Sequence, residues 1–559
     1  MMTNLSIRRL FLTLAIICCA SPIYAQKAGT KYFADSTSGY RFKPLKDWNN
    51  IPIKPSLESQ GVIARFASAK ELNIRLPNNQ VGSAPSGLYI LRFETTRAAT
   101  TGGQAGSLRN KVNKQASSSL DSLHKALPSL APIRDWEGVF EKPHLEAEDE
   151  KIRKGLIAQH LIYKGPNQYA IELYIDCWTI PANDYDFCFV YILPDQVKKN
   201  KKWFKAFEKS VKSFQFIDQT DAVSKVGQGG SYTEQFEYHK TLAEKVTGWT
   251  AHPTPGKKYI IKTSSDDKNF IKDVITRLEQ SRAVFEKDFP PSDEMTHVSV
   301  VRLCKNRDEF SKYGNTSPGT AGYFNPGSTE LVLYDSKNRD RRETLAVMSH
   351  EAFHQYCHFL FDQSAAHRWF DEGHGDYYGS FEFKGKKANA TAHMPGGLDR
   401  FQGIKTLVRE ETYKPLAQHL NADHPTWQNQ GPGNTSCYEQ SWSIVYMLRQ
   451  GALGNLPKKV WKKEYGNIIP NYIKVLNDGF AREYKKIRDG AKEEQKFLDP
   501  KKNYKEWERL ESFQASPSRW LQVADRDKIW KDAMDASWGQ IDLDEFESTW
   551  LMFVRKYLK

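Results

Sequence analysis

The pentapeptide His350-Glu351-Ala352-Phe353-His354 constrains this chain more than any other stretch. On an α-helix, residues four apart lie one turn above each other and about 40° apart round the axis, so both imidazoles reach one point on one face. Two imidazoles so placed grip a metal ion, and the glutamate between them points beside it. The fold must therefore supply a helix through 350–354 and a neighbouring element that completes the ligand set. Chance alone produces this pentapeptide in roughly one chain in fifty of this length, so the residues that follow decide its meaning.

Those residues read Trp369-Phe370-Asp371-Glu372-Gly373-His374-Gly375-Asp376-Tyr377-Tyr378. Structural zinc sites close with four protein ligands, whereas hydrolytic ones use three and keep a position for water. Glu372 follows His354 by eighteen residues, which allows a helix end, a turn and a second helix lying against the first. The predicted set is His350, His354 and Glu372 around one Zn2+. Asp376, at i+4 from Glu372, shares its helix face. There it is placed to accept the free ring N–H of a ligating histidine and so fix its tautomer.

In these residues the chain resembles the gluzincins, the thermolysin-like zinc peptidases. His350, Glu351, His354, Glu372 and Asp376 match their pattern residue by residue, and WFDEGHGDYY looks like the W-x-x-E-G-x-A-[ED]-[YF] signature round their third ligand. Exported bacterial proteins of the peptidase MA-like group look most alike. The likeness covers about half the chain, from roughly 257 on. It departs at His374-Gly375, where Leu-Ala is usual; Gly375 weakens the second helix and His374 is a spare histidine beside the metal. The absence of G-x-M-E-N speaks against the aminopeptidase branch. The metzincin pattern fails, because Cys357 and Leu360 stand where it needs Gly and His. His358 continues the motif face, but a third consecutive turn is too far to share one tetrahedral ion; His374 is a further alternative to Glu372. The resemblance implies a zinc metallopeptidase acting on a peptide or protein substrate, with a strand before the motif helix lying along the cleft. It also implies a Tyr or His donor over the substrate oxyanion, for which Tyr438 and His374 are candidates. In such a site Glu351 is the catalytic residue, first as general base and then as general acid.

Residues 1–25 read as a secretory signal peptide: Arg8-Arg9, an apolar run over 10–20, then Ile23-Tyr24-Ala25 before Gln26. That run is short for a membrane span, and no later segment resembles one, so a secreted or periplasmic protein without an integral membrane segment is expected. Of seven cysteines, five remain after removal of the signal; an odd number is no disulfide framework. Cys177 and Cys188 flank Pro181-Ala182-Asn183-Asp184, and a hairpin centred there sets them opposite, as a disulfide or as two buried thiols. The formal net charge is +13. Its lysine-rich runs at 198–212, 458–463 and 484–505 mix with Glu and Asp and contain no nucleic-acid motif, so they read as solvated helix faces and no nucleic-acid partner is expected.

The order of elements predicts a multidomain α+β protein. Residues 30–218 form an N-terminal α+β sandwich, with strands near 155–163, 168–180 and 185–193, helical character after a Gly/Ser/Thr-rich stretch at 98–120, and an amphipathic helix with a short strand at 200–216. This arrangement faintly resembles the PsbP-like fold. Residues 219–256, with Gly227-Gln228-Gly229-Gly230 and Pro253-Thr254-Pro255-Gly256, read as a linker. Residues 257–559 form the gluzincin-like metallopeptidase domain, a small mixed sheet followed by a helical C-terminal extension. A strand at 258–263, a helix at 268–288 and a strand at 297–304 open it. Strands at 321–324 and 330–334 joined by Asn325-Pro326-Gly327, a helix at 438–449 and a docked terminal helix within 541–558 follow. A second reading, from another class, is a zinc-bearing binding or surface-assembly protein with little turnover. The intact Glu351 speaks for the hydrolase, since a structural site has no use for it.

Overall fold

A computed structural model of the protein describes residues 27–94, 120–217 and 231–559, apart from 36–37, 69–71, 76–80, 85, 154, 183–184, 197–201, 292–294, 296, 315, 317–318, 338–339, 386, 396–398, 423–426, 428–435 and 501. The signal peptide expected over 1–25 and most of the stretch at 98–120 lie outside the described residues. The chain divides into two compact units, Met1–Asp221 and Ala222–Lys559, and is mixed α+β.

The first unit runs β1 (Phe33–Asp35), β2 (Tyr40–Phe42), β3 (Trp48–Asn50), α1 (Pro55–Glu58), β4 (Val62–Ser68), β5 (Leu72–Arg75), β6 (Val81–Ala84) and β7 (Gly87–Glu94). It continues with α2 (120–130), α3 (Trp136–Glu141), β8 (Leu145–Arg153), β9 (Leu156–Pro166), β10 (Glu172–Pro181), β11 (Tyr185–Pro194), α4 (Lys202–Lys212) and β12 (Gln215–Phe216). Seven strands pair antiparallel in the order β3-β4-β7-β11-β10-β9-β8. Phe187, Phe189 and Tyr191 of β11 pack with Trp203, Phe207 and Val211 of α4, while Cys188, Val190 and Ile192 pack with Leu123, Leu127 and Trp136. Both faces of the sheet are thus covered, and strands covered on both faces read as unbroken apolar runs. Cys177 lies opposite Val190 and Cys188 opposite Thr179, and both are free buried thiols. Of the two alternatives the buried thiols hold, and the directly opposed placement is corrected: Pro181 faces Asp186, so the hairpin turns one residue later than 181–184 and the cysteines miss by two positions.

The second unit opens inside the stretch expected as a linker. Ser231 and Glu234 form a reciprocal capping box that starts α5 (Tyr232–Glu244), and β13 (Thr250–Pro253) pairs with β14 (Tyr259–Thr263). Residues 218–230 lie outside the described residues. Next come α6 (Lys268–Asp288), β15 (Ser299–Cys304), α7 (Arg307–Gly314), β16 (Gly322–Asn325), β17 (Glu330–Tyr334), α8 (Arg341–Leu360) and α9 (Arg368–Gly379). Beyond them lie β18 (Phe381–Lys384), β19 (Lys387–Ala390), α10 (Arg400–Arg409), α11 (Leu416–Leu420), α12 (Ser436–Ala452), α13 (Ile468–Gln495), α14 (Tyr504–Ala515), α15 (Val523–Ser537) and α16 (Leu543–Lys556). Five strands order β13-β14-β15-β17-β16, parallel within and antiparallel at both edges.

Alternation divides this sheet by chemistry. Ile261, Val301, Leu303, Leu331 and Leu333 join the core shared with α6 and α8. On the other face Lys262 and Arg302 hold the buried Glu330, which also accepts from the Tyr313 hydroxyl at 2.7 Å. The C-terminal helix is docked as expected: the Trp550 indole N–H donates to Ser443 Oγ at 3.0 Å. Among the described residues, no helix is long and apolar enough to cross a membrane.

Candidate metal centre

Asp340 starts α8 by accepting from the Arg342 N–H at 2.9 Å. The helix ends where Asp362 and Gln363 take left-handed backbone (φ 48° and 67°), and residues 364–367 lead into α9. α9 lies tight against α12, because a Cβ on Gly373 would stand 2.7 Å from Val445 Cγ2 and 2.8 Å from the Ser441 carbonyl oxygen. Gly375, one of the two departures from the gluzincin-like signature, faces the His350 ring, to which a Cβ would approach within 2.9 Å. The weak helix former makes room for that imidazole.

This packing brings three predicted ligands together. His350 Nε2 and His354 Nε2 lie 2.9 Å apart, and each is 3.4 Å from Glu372 Oε2. Three donors bonded to one tetrahedral zinc at about 2.0–2.2 Å stand roughly 3.4 Å from one another; the two distances to Glu372 match this, the 2.9 Å between the histidines is shorter, and the donor types suit zinc. The electrostatics fit as well. Burial alone would lower both histidine pKa values, yet His350 rises to about 9 through Asp376 and Glu372, and His354 rises well above its usual value through Asp371 and Glu372. Burial would raise Glu372, yet the two histidines hold it well below the carboxylate range. The centre of the triad therefore favours positive charge.

Asp376, 1% exposed, takes the predicted place: its Oδ1 lies 2.9 Å from His350 Nδ1. Three partners escaped the sequence reading. Arg400 donates from Nε to Asp376 Oδ2 at 2.8 Å. Asp371 Oδ1 stands 2.9 Å from His354 Nδ1, an ion-pair contact without the hydrogen-bond geometry that joins Asp376 to His350. Arg368 reaches Glu372 Oε1 at 3.4 Å. Asp371 had a signal, an acid next to a ligand; Arg400 had none, since tertiary structure alone carries it across 24 residues to Asp376.

Glu351 Oε2 accepts the Phe324 N–H of β16 at 2.9 Å, which ties the motif helix to the sheet's edge strand. Tyr438 sits under the Arg400 guanidinium at 5.0 Å, with Glu372 and Asp376 near enough to act on its hydroxyl. Burial, reinforced by those carboxylates, pushes that hydroxyl up to about 12, so it keeps its proton. His374, the alternative to Glu372 and to Tyr438, is not grouped with the triad. It is fully buried among Phe289, Phe353 and Phe370, with Nδ1 2.8 Å from the Phe370 carbonyl oxygen. Burial lowers its pKa to about 3, and an inward-facing position at i+2 from Glu372 is the reason. His358 stands outside the triad, with its ring against Phe324, in a cavity of about 580 Å³ that also borders His354 and Glu372.

No protein-family model matches the chain, and no curated protein is similar to it. Among solved structures, the cyanobacterial PsbP (CyanoP) of Synechocystis sp. PCC 6803 is similar at 14% identity with a TM-score of 0.22, over 36% of this chain and 96% of that one. A protein of Bacteroides thetaiotaomicron is similar at 9% identity with a TM-score of 0.20, over 65% of this chain and 85% of that one. Both scores lie below 0.5, and neither likeness carries a functional inference.

Proposed function

We propose that the protein is an exported zinc metallopeptidase. The observation that carries this reading is the convergence of His350 Nε2, His354 Nε2 and Glu372 Oε2 within 3.4 Å, with Glu351 on the same helix. His350, His354 and Glu372 would hold the ion, and Asp376 and Asp371 would orient the two rings. When bound, zinc supplies Lewis-acid polarisation of a carbonyl and acidification of water. Glu351, whose Oε2 rests on the Phe324 N–H, has Oε1 to take the water proton and pass it to the leaving amine. Tyr438, protonated at neutral pH, is the candidate donor to the oxyanion. A peptide substrate suits the edge strand β16: its backbone groups alternate between facing β17 and facing away, and an extended chain can add to the outward groups other than the Phe324 N–H that Glu351 holds. The gluzincin-like pattern and the signal-like N-terminus support the same reading.

Metal content of the purified mature chain, paired with chelator-sensitive cleavage of a peptide library, tests it. One zinc per chain is expected, with Glu351→Gln keeping the metal while cleavage falls about 10²–10⁴-fold. Full cleavage by that variant, or no zinc in the unaltered protein, would refute the reading. Zinc without cleavage would leave the zinc-bearing binding protein in its place.

A further inference from the structure

Gln355 follows the second motif histidine and is 1% exposed. It is four residues from Glu351, so the two side chains share a face of α8 adjacent to the metal-binding one. Its Nε2 donates twice, to the Thr329 carbonyl oxygen at 2.8 Å and to the Val300 carbonyl oxygen at 3.1 Å. Both partners are acceptors only, which fixes the amide's orientation. Val300 lies in β15, and Thr329 is the last residue of the turn between β16 and β17.

Thr329 holds φ at +53°, a left-handed conformation that a β-branched residue rarely adopts. Such backbone persists where its surroundings over-determine it, and here the surroundings are Gln355 on one side and the Asn325 side chain on the other. Asn325 Oδ1 accepts from the Gly327 and Ser328 N–H groups at 2.9 and 3.2 Å. The hairpin is thus attached to α8 at two points: Glu351 to Phe324 N–H, and Gln355 to the Thr329 carbonyl. The first attachment depends on the residue proposed to carry the proton, whereas the second depends on Gln355, which has no part in that step.

We infer that Gln355 is a positioning residue that holds the β16–β17 hairpin in place against the motif helix, keeping the edge strand in register with the metal centre while Glu351 works. Its bearing on substrate rests on the peptidase reading above; the clamp itself does not.

The test is Gln355→Met, which keeps bulk and removes both donors, examined in the full chain by zinc content, backbone hydrogen exchange and steady-state kinetics. Zinc stoichiometry should stay the same. Amides of residues 322–330 should exchange about tenfold faster or more, as expected for two lost hydrogen bonds. KM for a peptide substrate should rise about tenfold while kcat stays within about threefold, because strand register is lost and the metal centre is kept. Should this variant not fold, Gln355→Ser leaves room for a water to bond the two carbonyls, and the same shifts are expected. Unchanged exchange and KM with metal intact would overturn the clamp. Faster exchange in a protein that cleaves no peptide would uphold the clamp and remove the peptidase reading alone.

Discussion

Asp376→Asn is the sharpest perturbation of the proposed centre. Two donors approach different oxygens of this carboxylate: His350 Nδ1 stands 2.9 Å from Oδ1 and Arg400 Nε donates to Oδ2 at 2.8 Å. An amide has one acceptor, so one donor must then face an NH2 group. The bond to Arg400 is charge-assisted and the stronger one, so the amide oxygen goes to Arg400 and the NH2 to His350. In the neutral ring that zinc binding requires, His350 Nδ1 must then act as acceptor and the ring proton sits on Nε2, the atom that points at Glu372 and His354. A protonated Nε2 cannot ligate. Binding zinc has to reverse this tautomer, so the dissociation constant should rise about 10–100-fold. Competition against a chromophoric chelator at neutral pH measures it, and a thermal melt checks that the fold persists. Unchanged zinc affinity in a folded variant would refute the reasoning, for it would mean that Asp376 serves Arg400 and leaves His350 to orient itself.

Two further predictions concern stability. Gly373→Ala should cost about 1–3 kcal/mol and lower the calorimetric melting temperature, because its Cβ would meet Val445 Cγ2 and the Ser441 carbonyl below contact distance; an unchanged melt would mean that α9 and α12 part without cost. His419 is buried, with Nε2 2.8 Å from Ser441 Oγ, and burial, aided by Lys414, lowers its pKa to about 3. The unfolded ring titrates near about 6.5, so between these values the unfolded chain holds the extra proton and stability falls as pH drops. Denaturant unfolding of His419→Asn should therefore show a pH slope shallower by about one proton over that window; an equal slope would refute the assignment.

The parts of this architecture written in short-range pattern were legible. β9–β11 and β14–β17 show as apolar runs or alternations, and α6 and α12 show by their spacing. The grouping of His350, His354 and Glu372 was legible because helix periodicity turns residue spacing into direction. Several misses share a physical cause. The Cys177–Cys188 pairing failed because a one-residue shift of the hairpin displaces every cross-strand partner by two. α5 was passed over although Ser231-x-x-Glu234 is a start signal, because glycines and prolines on either side read as loop. His374 lies two residues from Glu372, and at about 100° per residue that turns it away from the triad and into the core. Arg400 meets the site through tertiary packing, and no local pattern encodes that.

That periodicity also explains why the centre sits where it does. His350 and His354 share one face of α8, and Glu351 and Gln355, each one residue on, share the next. The first pair converges with Glu372; the second is bonded to β16 and to the turn before β17. The distance from ligands to edge strand is therefore set by the width of one helix rather than by a loop. A rigid element of this kind holds a reacting geometry within the few tenths of an ångström that positioning requires. The connection at 361–367 bears no such load on the edge strand. It fixes only where α9 begins, and α9 is held independently by the Gly373 contact with α12. Ligand geometry and strand register are thus separable: changes at Asp376 should read out in metal affinity, and changes at Gln355 in substrate binding.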